Sequence, residues 1–178
     1  MKKKIFISTG EVSGDLHGSL LAKELFEEGR KQAVDLEIYG LGGEKMREAG
    51  VQIIKDTTPI SAIGIWEAVP LVLPMMKIQK KFLKALITKS PDCLILIDYM
   101  GPNISIGRKL KKKKINMPIY YYIAPQEWAW RVGNNSTTDL ISFSDKIFAI
   151  FQQEANFYRK RGGRVSWIGH PMVDLTKR

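Results

Sequence analysis

A carboxylate follows one continuous apolar run of this sequence. Cys93–Ile97 has the composition expected of a central strand in a parallel sheet, and Asp98 comes directly after it. A carboxylate at the carboxyl end of a buried strand is placed to accept a proton at a ligand crevice, and partial desolvation would raise its basicity. The alternative is that Asp98 caps or braces the next segment, Tyr99–Asn103, which we predict to be a loop.

A second predicted strand ends in polar and aromatic residues. It begins at Ile119 and is broken by Pro125, after which come Gln126, Glu127, Trp128, Trp130 and Arg131. Ligand crevices of open α/β sheets form beyond the carboxyl ends of the strands, so this run is a candidate binding loop. The alternative is that both tryptophans are core residues and that Glu127 and Arg131 form a solvated pair.

A glycine-containing loop separates the first predicted strand from the first predicted helix. Ile5–Ser8 is the strand, Thr9–Asp15 is the loop, and Leu16, Leu20, Leu21 and Leu25 recur at helical spacing. The loop lacks the GxGxxG pattern and a Walker lysine, which argues against dinucleotide or ATP binding. One interpretation is that its glycines form tight turns and the other is that the loop binds a ligand; in both we expect Asp15 to cap the helix that follows.

Neither a metal site nor a hydrolase triad is predicted. His17 and His170 are far apart in the sequence, and Cys93 falls in a strand, so zinc-type ligand spacing is absent. The chain has no GxSxG motif. His170 lies in Gly169-His-Pro171 after the last predicted strand, where its ring either faces a ligand or bonds to the backbone.

Strands and helices alternate along the chain. Further strands are predicted over Leu36–Tyr39, Val51–Ile54, Lys146–Ile150 and Val165–Ile168, and further helices over Glu44–Ala49, Ile78–Thr88, Ile104–Leu110, Thr137–Phe143 and Gln152–Arg161. We predict no element after Met172. This alternation is typical of an α/β fold with a parallel sheet and helices on both faces.

The segment Pro59–Met76 is apolar and carries few charges, and Lys77, Lys80, Lys81 and Lys84 follow it. A buried helical hairpin is one interpretation. The other is an apolar surface in a membrane interface, where tryptophan and a basic flank are favoured. The candidate membrane-docking residues are Ile63, Ile65, Trp66, Val69, Leu71, Val72, Met75 and Met76.

Composition favours a globular protein that meets anionic partners. The chain has 178 residues, 44% of them hydrophobic, and a formal charge of +10. The basic residues are dispersed, so nucleic acid is not singled out. The single cysteine fits a reducing compartment and a buried, inert thiol. The apolar segment after Lys2–Lys4 is interrupted too early for a secretory signal, and no stretch predicts a membrane span.

Several motifs together resemble one enzyme family, the lipid-A-disaccharide synthases, which are glycosyltransferases of lipopolysaccharide synthesis. The motifs occur in order over about Ile5–Asp174 as Gly10-Glu-Val-Ser-Gly-Asp-Leu-His-Gly18, Gly40-Leu-Gly-Gly-Glu-Lys-Met46, Ile63-Gly-Ile-Trp-Glu67, Asp98 with Asn103, Trp128-Ala-Trp-Arg131, Phe157-Tyr158 and Ile168-Gly-His-Pro171. The resemblance implies a GT-B-like enzyme of two Rossmann-like domains, about twice this length. Residues 1–178 would be the single, acceptor-side amino-terminal domain, and the nucleotide-sugar domain would be supplied in cis or in trans.

The resemblance also implies a reaction. A diacylglucosamine unit would pass from UDP to the 6-hydroxyl of diacylglucosamine 1-phosphate, with inversion, without a cofactor and at the cytoplasmic side of an anionic inner membrane. Asp98 would be the base, and substrate binding is assigned to Glu11, Ser13, Gly14, Asn103, Glu127, Trp128, Arg131 and His170.

Two departures from the family pattern concern the acceptor pocket. Gly101 replaces a second acid after Asp98, and Gln126-Glu127 replaces Ser-Val before the tryptophan motif, so a second carboxylate's role would move to Glu127. Two rival functions stay open, namely another GT-B enzyme such as a UDP-sugar epimerase or a different glycosyltransferase, and a non-catalytic membrane-peripheral binding module.

Overall fold

The computed structural model describes residues 1–58, 72–125 and 136–175, without the side chains of residues 72, 73, 174 and 175. The strands in this part of the chain are β1 (Lys2–Ser8), β2 (Asp35–Gly42), β3 (Gln52–Asp56), β4 (Cys93–Ile97), β5 (Ile119–Tyr122), β6 (Lys146–Ala149) and β7 (Val165–Trp167). The helices are α1 (Val12–Lys31), α2 (Glu44–Glu48), α3 (Val72–Lys89), α4 (Met100–Lys112), α5 (Ser136–Phe143), α6 (Gln152–Arg159) and α7 (Met172–Leu175).

The strands form one seven-stranded sheet in the order β3-β2-β1-β4-β5-β6-β7. Pairing is parallel between β1 and β2, β2 and β3, β5 and β6, and β6 and β7, with Ile5 opposite Ile38 and Tyr121 opposite Ile147. A helix separates each strand from the next along the chain. The predicted α/β, Rossmann-like fold is confirmed.

The chain divides into two compact units, and the first is Met1–Ile95. Phe6 and Ile38 are buried in it, and the ring of Phe82 from α3 lies 5.6 Å from that of Phe6. Asp92 fixes the start of β4 beside β1, because its N–H donates to Lys4 O at 2.8 Å and its carboxylate accepts the Lys4 N–H at 2.8 Å.

The second unit is Leu96–Arg178. Its core contains Tyr121, Ile147, Leu110 and Tyr158, all at most 1% exposed. The phenyl ring of Phe143 from α5 lies 6.5 Å from the ring of Tyr121.

Several predicted boundaries are wrong. Helix α1 begins at Val12, so most of the predicted loop Thr9–Asp15, including Gly14, is its first turn. Helix α4 begins at Met100, so most of the predicted loop Tyr99–Asn103 is its first turn. Pro102 is accommodated there because the first-turn N–H groups of a helix have no intrahelical acceptor. Strand β2 continues through Gly42, and residues 172–175 form the short helix α7.

The expectation that Asp15 caps its own helix is also wrong. Asp15 lies inside α1, and its buried carboxylate reaches α2 instead. Its Oδ1 accepts the N–H groups of Gly43 at 2.7 Å and Met46 at 3.1 Å, and its Oδ2 accepts that of Lys45 at 3.0 Å. A carboxylate at a helix amino terminus satisfies unpaired N–H groups and is favoured by the helix dipole. Asp15 therefore ties α1 to the β2–α2 turn.

Candidate active site at the strand ends

Asp98 occupies the point where β4 ends and α4 has yet to begin. Its backbone and that of Tyr99, the residue before α4, are both left-handed, with φ of 43° and 49°. Aspartate tolerates this conformation better than most residues. The short left-handed segment turns the chain between strand and helix, so the carboxylate stands at the carboxyl end of β4, as the sequence predicts.

Two buried side chains hold the Asp98 backbone. The carbonyl oxygen of Asp98 accepts the Tyr121 hydroxyl at 2.7 Å and the Asn103 Nδ2 at 2.8 Å. Asn103 also donates to Ile97 O at 3.1 Å. Asn103 is fully buried on α4, so in this structure its amide nitrogen serves the backbone of the Asp98 turn. Its predicted contact with substrate stays a prediction.

Strain is concentrated around the same turn. Ile123, directly after β5, has φ of 58°, which a β-branched residue rarely adopts. Its carbonyl oxygen accepts the Asp98 N–H at 3.1 Å, and its own N–H donates to Phe148 O at 3.1 Å. Strained residues persist where surrounding contacts over-determine them, commonly at ligand sites. The ends of β4, β5 and β6 are therefore linked through backbone bonds.

The electrostatic environment of Asp98 suits a base. Burial raises the pKa of its carboxyl above the ordinary value, and a hydrogen bond from the Tyr99 backbone N–H partly offsets the rise. A raised pKa means a higher proton affinity, which a general base needs when it takes a proton from an alcohol.

Sequence reasoning missed a second carboxyl in this unit, Glu154, on the first turn of α6. Its side chain is buried, and burial raises its pKa to about 7. The Asp98 charge adds to that rise, whereas backbone N–H groups of Phe151, Ile150 and Ala124 oppose it. A glutamate three residues after a Ser or Thr N-cap indicates a capping box in a sequence. Here the N-cap residue is Phe151, so the pattern is not recognisable.

His170 lies near the start of α6, where its ring centroid is 5.6 Å from that of Phe151. Its Nδ1 accepts the Met172 N–H at 3.2 Å. The backbone-bonding alternative for this ring is thus observed for one of its two nitrogens.

The glycine loop of the first unit is tightly packed. Thr9 is buried, its N–H donates to Leu41 O at 3.1 Å, and its O accepts the Thr57 hydroxyl at 3.0 Å. A Cβ on Gly14 would lie 1.8 Å from Thr9 Oγ1, so glycine is required where α1 passes the loop. Glu11 and Ser13 are exposed at the amino terminus of α1, where the helix dipole favours anions.

The other predicted site residues are only partly described. Glu127, Trp128, Arg131, Ile63, Ile65, Trp66, Val69 and Leu71 lie outside the described residues, as does the side chain of Val72. Met75 is half-buried and Met76 is 56% exposed. On α3 the lysines 77, 80, 81 and 84 are exposed, whereas Ile78, Phe82 and Leu86 are buried.

Within the described part of the chain, no helix is both long and apolar enough to cross a membrane. The same residues contain no group of three or more His, Cys, Asp or Glu side chains arranged to hold a metal ion.

Comparisons with solved structures agree with this fold. A UDP-GlcNAc 2-epimerase from Neisseria meningitidis, solved with UDP-GlcNAc, superposes with a TM-score of 0.62 at 13% identity, over 99% of this chain and 49% of that one. A lipopolysaccharide outer core galactosyltransferase superposes with a TM-score of 0.59 at 18% identity, over 96% of this chain and 46% of that one. At these identities the likeness concerns the fold alone.

Sequence relatives are much more similar. The lipid-A-disaccharide synthase of Prochlorococcus marinus is 51% identical over 97% of this chain, and that of Gloeothece citriformis is 47% identical over 96%. The chain spans 44% of the length of each of these two curated relatives. The family model described as lipid-A-disaccharide synthetase matches residues 5–178. This chain, with its carboxylate at the end of β4 and its glycine loop before α1, therefore belongs to the lipid-A-disaccharide synthetase family.

Proposed function

We propose that this chain supplies the acceptor-side half of a lipid-A-disaccharide synthase. The whole enzyme would transfer 2,3-diacylglucosamine from its UDP-linked form to 2,3-diacylglucosamine 1-phosphate and release UDP. The product would be a β-1,6-linked disaccharide. Supporting this proposal is the 51% identity to a synthase of which this chain spans 44%. The remaining part of such an enzyme, in cis or in trans, would hold the nucleotide.

Asp98 is the proposed general base. Its carboxylate takes the proton of the acceptor 6-hydroxyl as that oxygen attacks the anomeric carbon of the donor. The bond from the anomeric carbon to the UDP oxygen breaks, and the electron pair leaves with UDP. Attack opposite to the leaving group inverts the anomeric carbon. The position of Asp98 at the strand end, held by Tyr121 and Asn103, and its raised pKa support this role.

The proposed acceptor site includes Glu11, Ser13 and Gly14 at the amino terminus of α1. The positive end of the α1 dipole there would suit the acceptor 1-phosphate. Further binding roles are proposed for Asn103 and His170, and for Glu127, Trp128 and Arg131. Glu127 would supply the carboxylate that Gly101 lacks.

Association with the inner membrane from the cytoplasmic side is the second part of the proposal. The acyl chains of both substrates place them in a bilayer. The docking surface would comprise the apolar residues Ile63, Ile65, Trp66, Val69, Leu71, Val72, Met75 and Met76. The exposed lysines of α3 support this part, because each basic residue near an anionic surface contributes about 1 kcal/mol. Flotation with anionic liposomes at low and high salt tests it, and a protein that ignores them at low salt contradicts it.

The test of the proposed activity is Asp98→Asn in the full-length enzyme, assayed with both lipid substrates. Asparagine adopts left-handed φ readily, so the turn survives while the base is lost. We expect kcat to fall by about 10²–10⁴-fold with an unchanged circular dichroism spectrum. Asp139→Asn, which removes a half-buried carboxylate of α5 that bonds Arg108, is the control and should keep normal rates.

A near-normal rate in Asp98→Asn contradicts the base assignment. If the wild-type enzyme accepts soluble, non-acylated sugars as well as the lipids, another GT-B activity replaces this proposal. If the enzyme binds acceptor lipid but never turns over, the chain is a binding module.

A further inference from the structure

Helix α6 presents two buried polar side chains one turn apart, Glu154 and Tyr158, both 0% exposed. The Tyr158 hydroxyl donates to Pro125 O at 2.9 Å, just beyond β5. Glu154 Oε2 accepts the N–H groups of Ile150 at 2.9 Å and Phe151 at 3.2 Å, just beyond β6. One face of α6 thus fixes the carboxyl ends of two strands.

The second oxygen of Glu154 is unusual. Oε1 is buried, and no hydrogen bond of ordinary length to it is found among the described residues, although the Ala124 N–H acts on the carboxyl strongly enough to lower its pKa. A buried carboxylate normally has both oxygens bonded, because an uncompensated charge in the interior costs several kcal/mol. A protonated carboxyl avoids the charge penalty, since the group is then neutral and only its O–H needs an acceptor.

Among the groups that act on Glu154, Asp98 raises its pKa through its negative charge, whereas the backbone N–H groups of Phe151, Ile150 and Ala124 lower it. The imidazole ring of His170 also lies at the start of α6, in contact with the ring of Phe151. By reciprocity, an ionised Glu154 would disfavour the ionised Asp98.

We propose that Glu154 is a positioning residue for the Asp98 site and that its carboxyl carries a proton while the strand ends hold their working arrangement. This inference rests on the proposed function for its link to catalysis. In the neutral form Glu154 keeps the β6–α6 turn in place and leaves Asp98 as the only negative charge of the pair. Ionisation of Glu154 places two like charges in one buried region, and their repulsion loosens the turn that holds the strand ends.

The first experiment needs no activity. The carboxyl carbon of Glu154 is followed by nuclear magnetic resonance from pH 4 to 9 in the wild type, in Asp98→Asn and in the control Asp139→Asn. We expect titration near neutrality in the wild type and in Asp139→Asn, and a midpoint at lower pH in Asp98→Asn. A wild-type midpoint below about pH 5, close to that of a free glutamate, overturns the proposal. Equal midpoints in all three proteins also overturn it.

The second experiment compares Glu154→Gln with Glu154→Ala in the full-length enzyme. Glutamine mimics the protonated carboxyl, because it keeps an acceptor oxygen for the Ile150 and Phe151 N–H groups and adds no charge. We expect wild-type kcat/KM to fall by about tenfold per pH unit well above neutrality. Glu154→Gln should lack this alkaline fall and should keep the wild-type kcat at lower pH. Glu154→Ala should have a reduced kcat at every pH, with KM little changed.

A Glu154→Gln enzyme that keeps the alkaline fall, or that is impaired at every pH, overturns the proposal. If Glu154→Ala does not fold, Glu154→Gln and the titration still decide it. If Asp98→Asn remains active although the two carboxyls titrate together, the proposed base is wrong while the coupling stands.

Discussion

The carboxylate of Asp15 accepts the backbone N–H of Gly43 at 2.7 Å across 28 residues of sequence. Because the same carboxylate also bonds Lys45 and Met46, one buried side chain of α1 satisfies three N–H groups at the start of α2. The Asp15 carboxylate therefore fixes the position of α1 relative to the Gly42-Gly43 turn within the first unit.

Replacing Asp15 with alanine is expected to destabilise the protein. Three N–H groups, two of them buried, lose their acceptor, which corresponds to about 2–3 kcal/mol in the free energy of unfolding. Urea denaturation measures the change. Glu48→Ala, at an exposed position of α2, is the control and should stay within about 0.5 kcal/mol of wild type. Equal values for the two variants contradict the capping role.

Removing the Tyr121 hydroxyl should impair activity more than stability. In Tyr121→Phe the Asp98 carbonyl keeps the hydrogen bond from Asn103 but loses the 2.7 Å bond from the Tyr121 hydroxyl. This loss lowers the free energy of unfolding by about 1 kcal/mol. Small displacements of a catalytic group are costly, so we expect kcat to fall roughly tenfold. Tyr120→Phe on the same strand is the control, and its steady-state rate should match wild type. A Tyr121→Phe enzyme with normal kcat shows that this bond does not position the base.

Two glycines of α4 should respond oppositely to alanine. A Cβ at Gly107 would lie 2.5 Å from ring atoms of Phe143, whereas a Cβ at Gly101 meets no atom within 4 Å. We expect Gly107→Ala to lower the free energy of unfolding by about 1–3 kcal/mol because the ring must move. Gly101→Ala should leave it unchanged or raise it by up to about 1 kcal/mol. Urea denaturation of both variants and the wild type measures these changes in the free energy of unfolding.

Glu154 should make stability depend on pH below neutrality. Its pKa rises from the usual 4.5 to about 7 in the folded protein, so the folded state binds this proton more tightly than the unfolded state does. The resulting stabilisation is complete below pH 4.5 and is lost as pH rises to about 7. The free-energy difference between wild type and Glu154→Gln should therefore fall by roughly 3 kcal/mol between pH 4.5 and pH 8. A difference that does not change with pH contradicts the raised pKa.

Cys93 should react slowly with thiol reagents. Burial, followed by the charge of Asp92, raises the pKa of its thiol to about 11 from the usual 9.0. At pH 8 the reactive thiolate is then roughly a hundredfold rarer than in an unperturbed thiol. Aromatic disulfide reagents followed by absorbance should show this slow phase in the folded protein and rapid reaction in denaturant. Equal rates in the two conditions would show that the thiol is accessible and unperturbed.

The sequence predicts the strands and helices well because the apolar runs and helical spacings are local. Residues 100–103 were harder to predict, since a Gly-Pro pair is compatible with a loop and with the first turn of a helix. The partner of Asp15 was inaccessible because it lies 28 residues away. Of the candidate site, the position of Asp98 follows from the end of an apolar run. The contacts by which Tyr121 holds the Asp98 turn and Glu154 holds the start of α6 are tertiary, so the spacing of residues in the sequence does not reveal them.

The strand order has a consequence for synthesis of the chain. Strand β1 pairs with β2 on one edge, but its other neighbour in the sheet is β4, which begins at Cys93. At ribosomal speeds the roughly fifty residues between Gly42 and Cys93 take several seconds to emerge. Throughout that interval the nascent protein exposes an open strand edge, the kind of surface that recruits other chains into aggregates. Charged side chains on an edge strand oppose such pairing, and the lysines at positions 2, 3 and 4 supply them on β1.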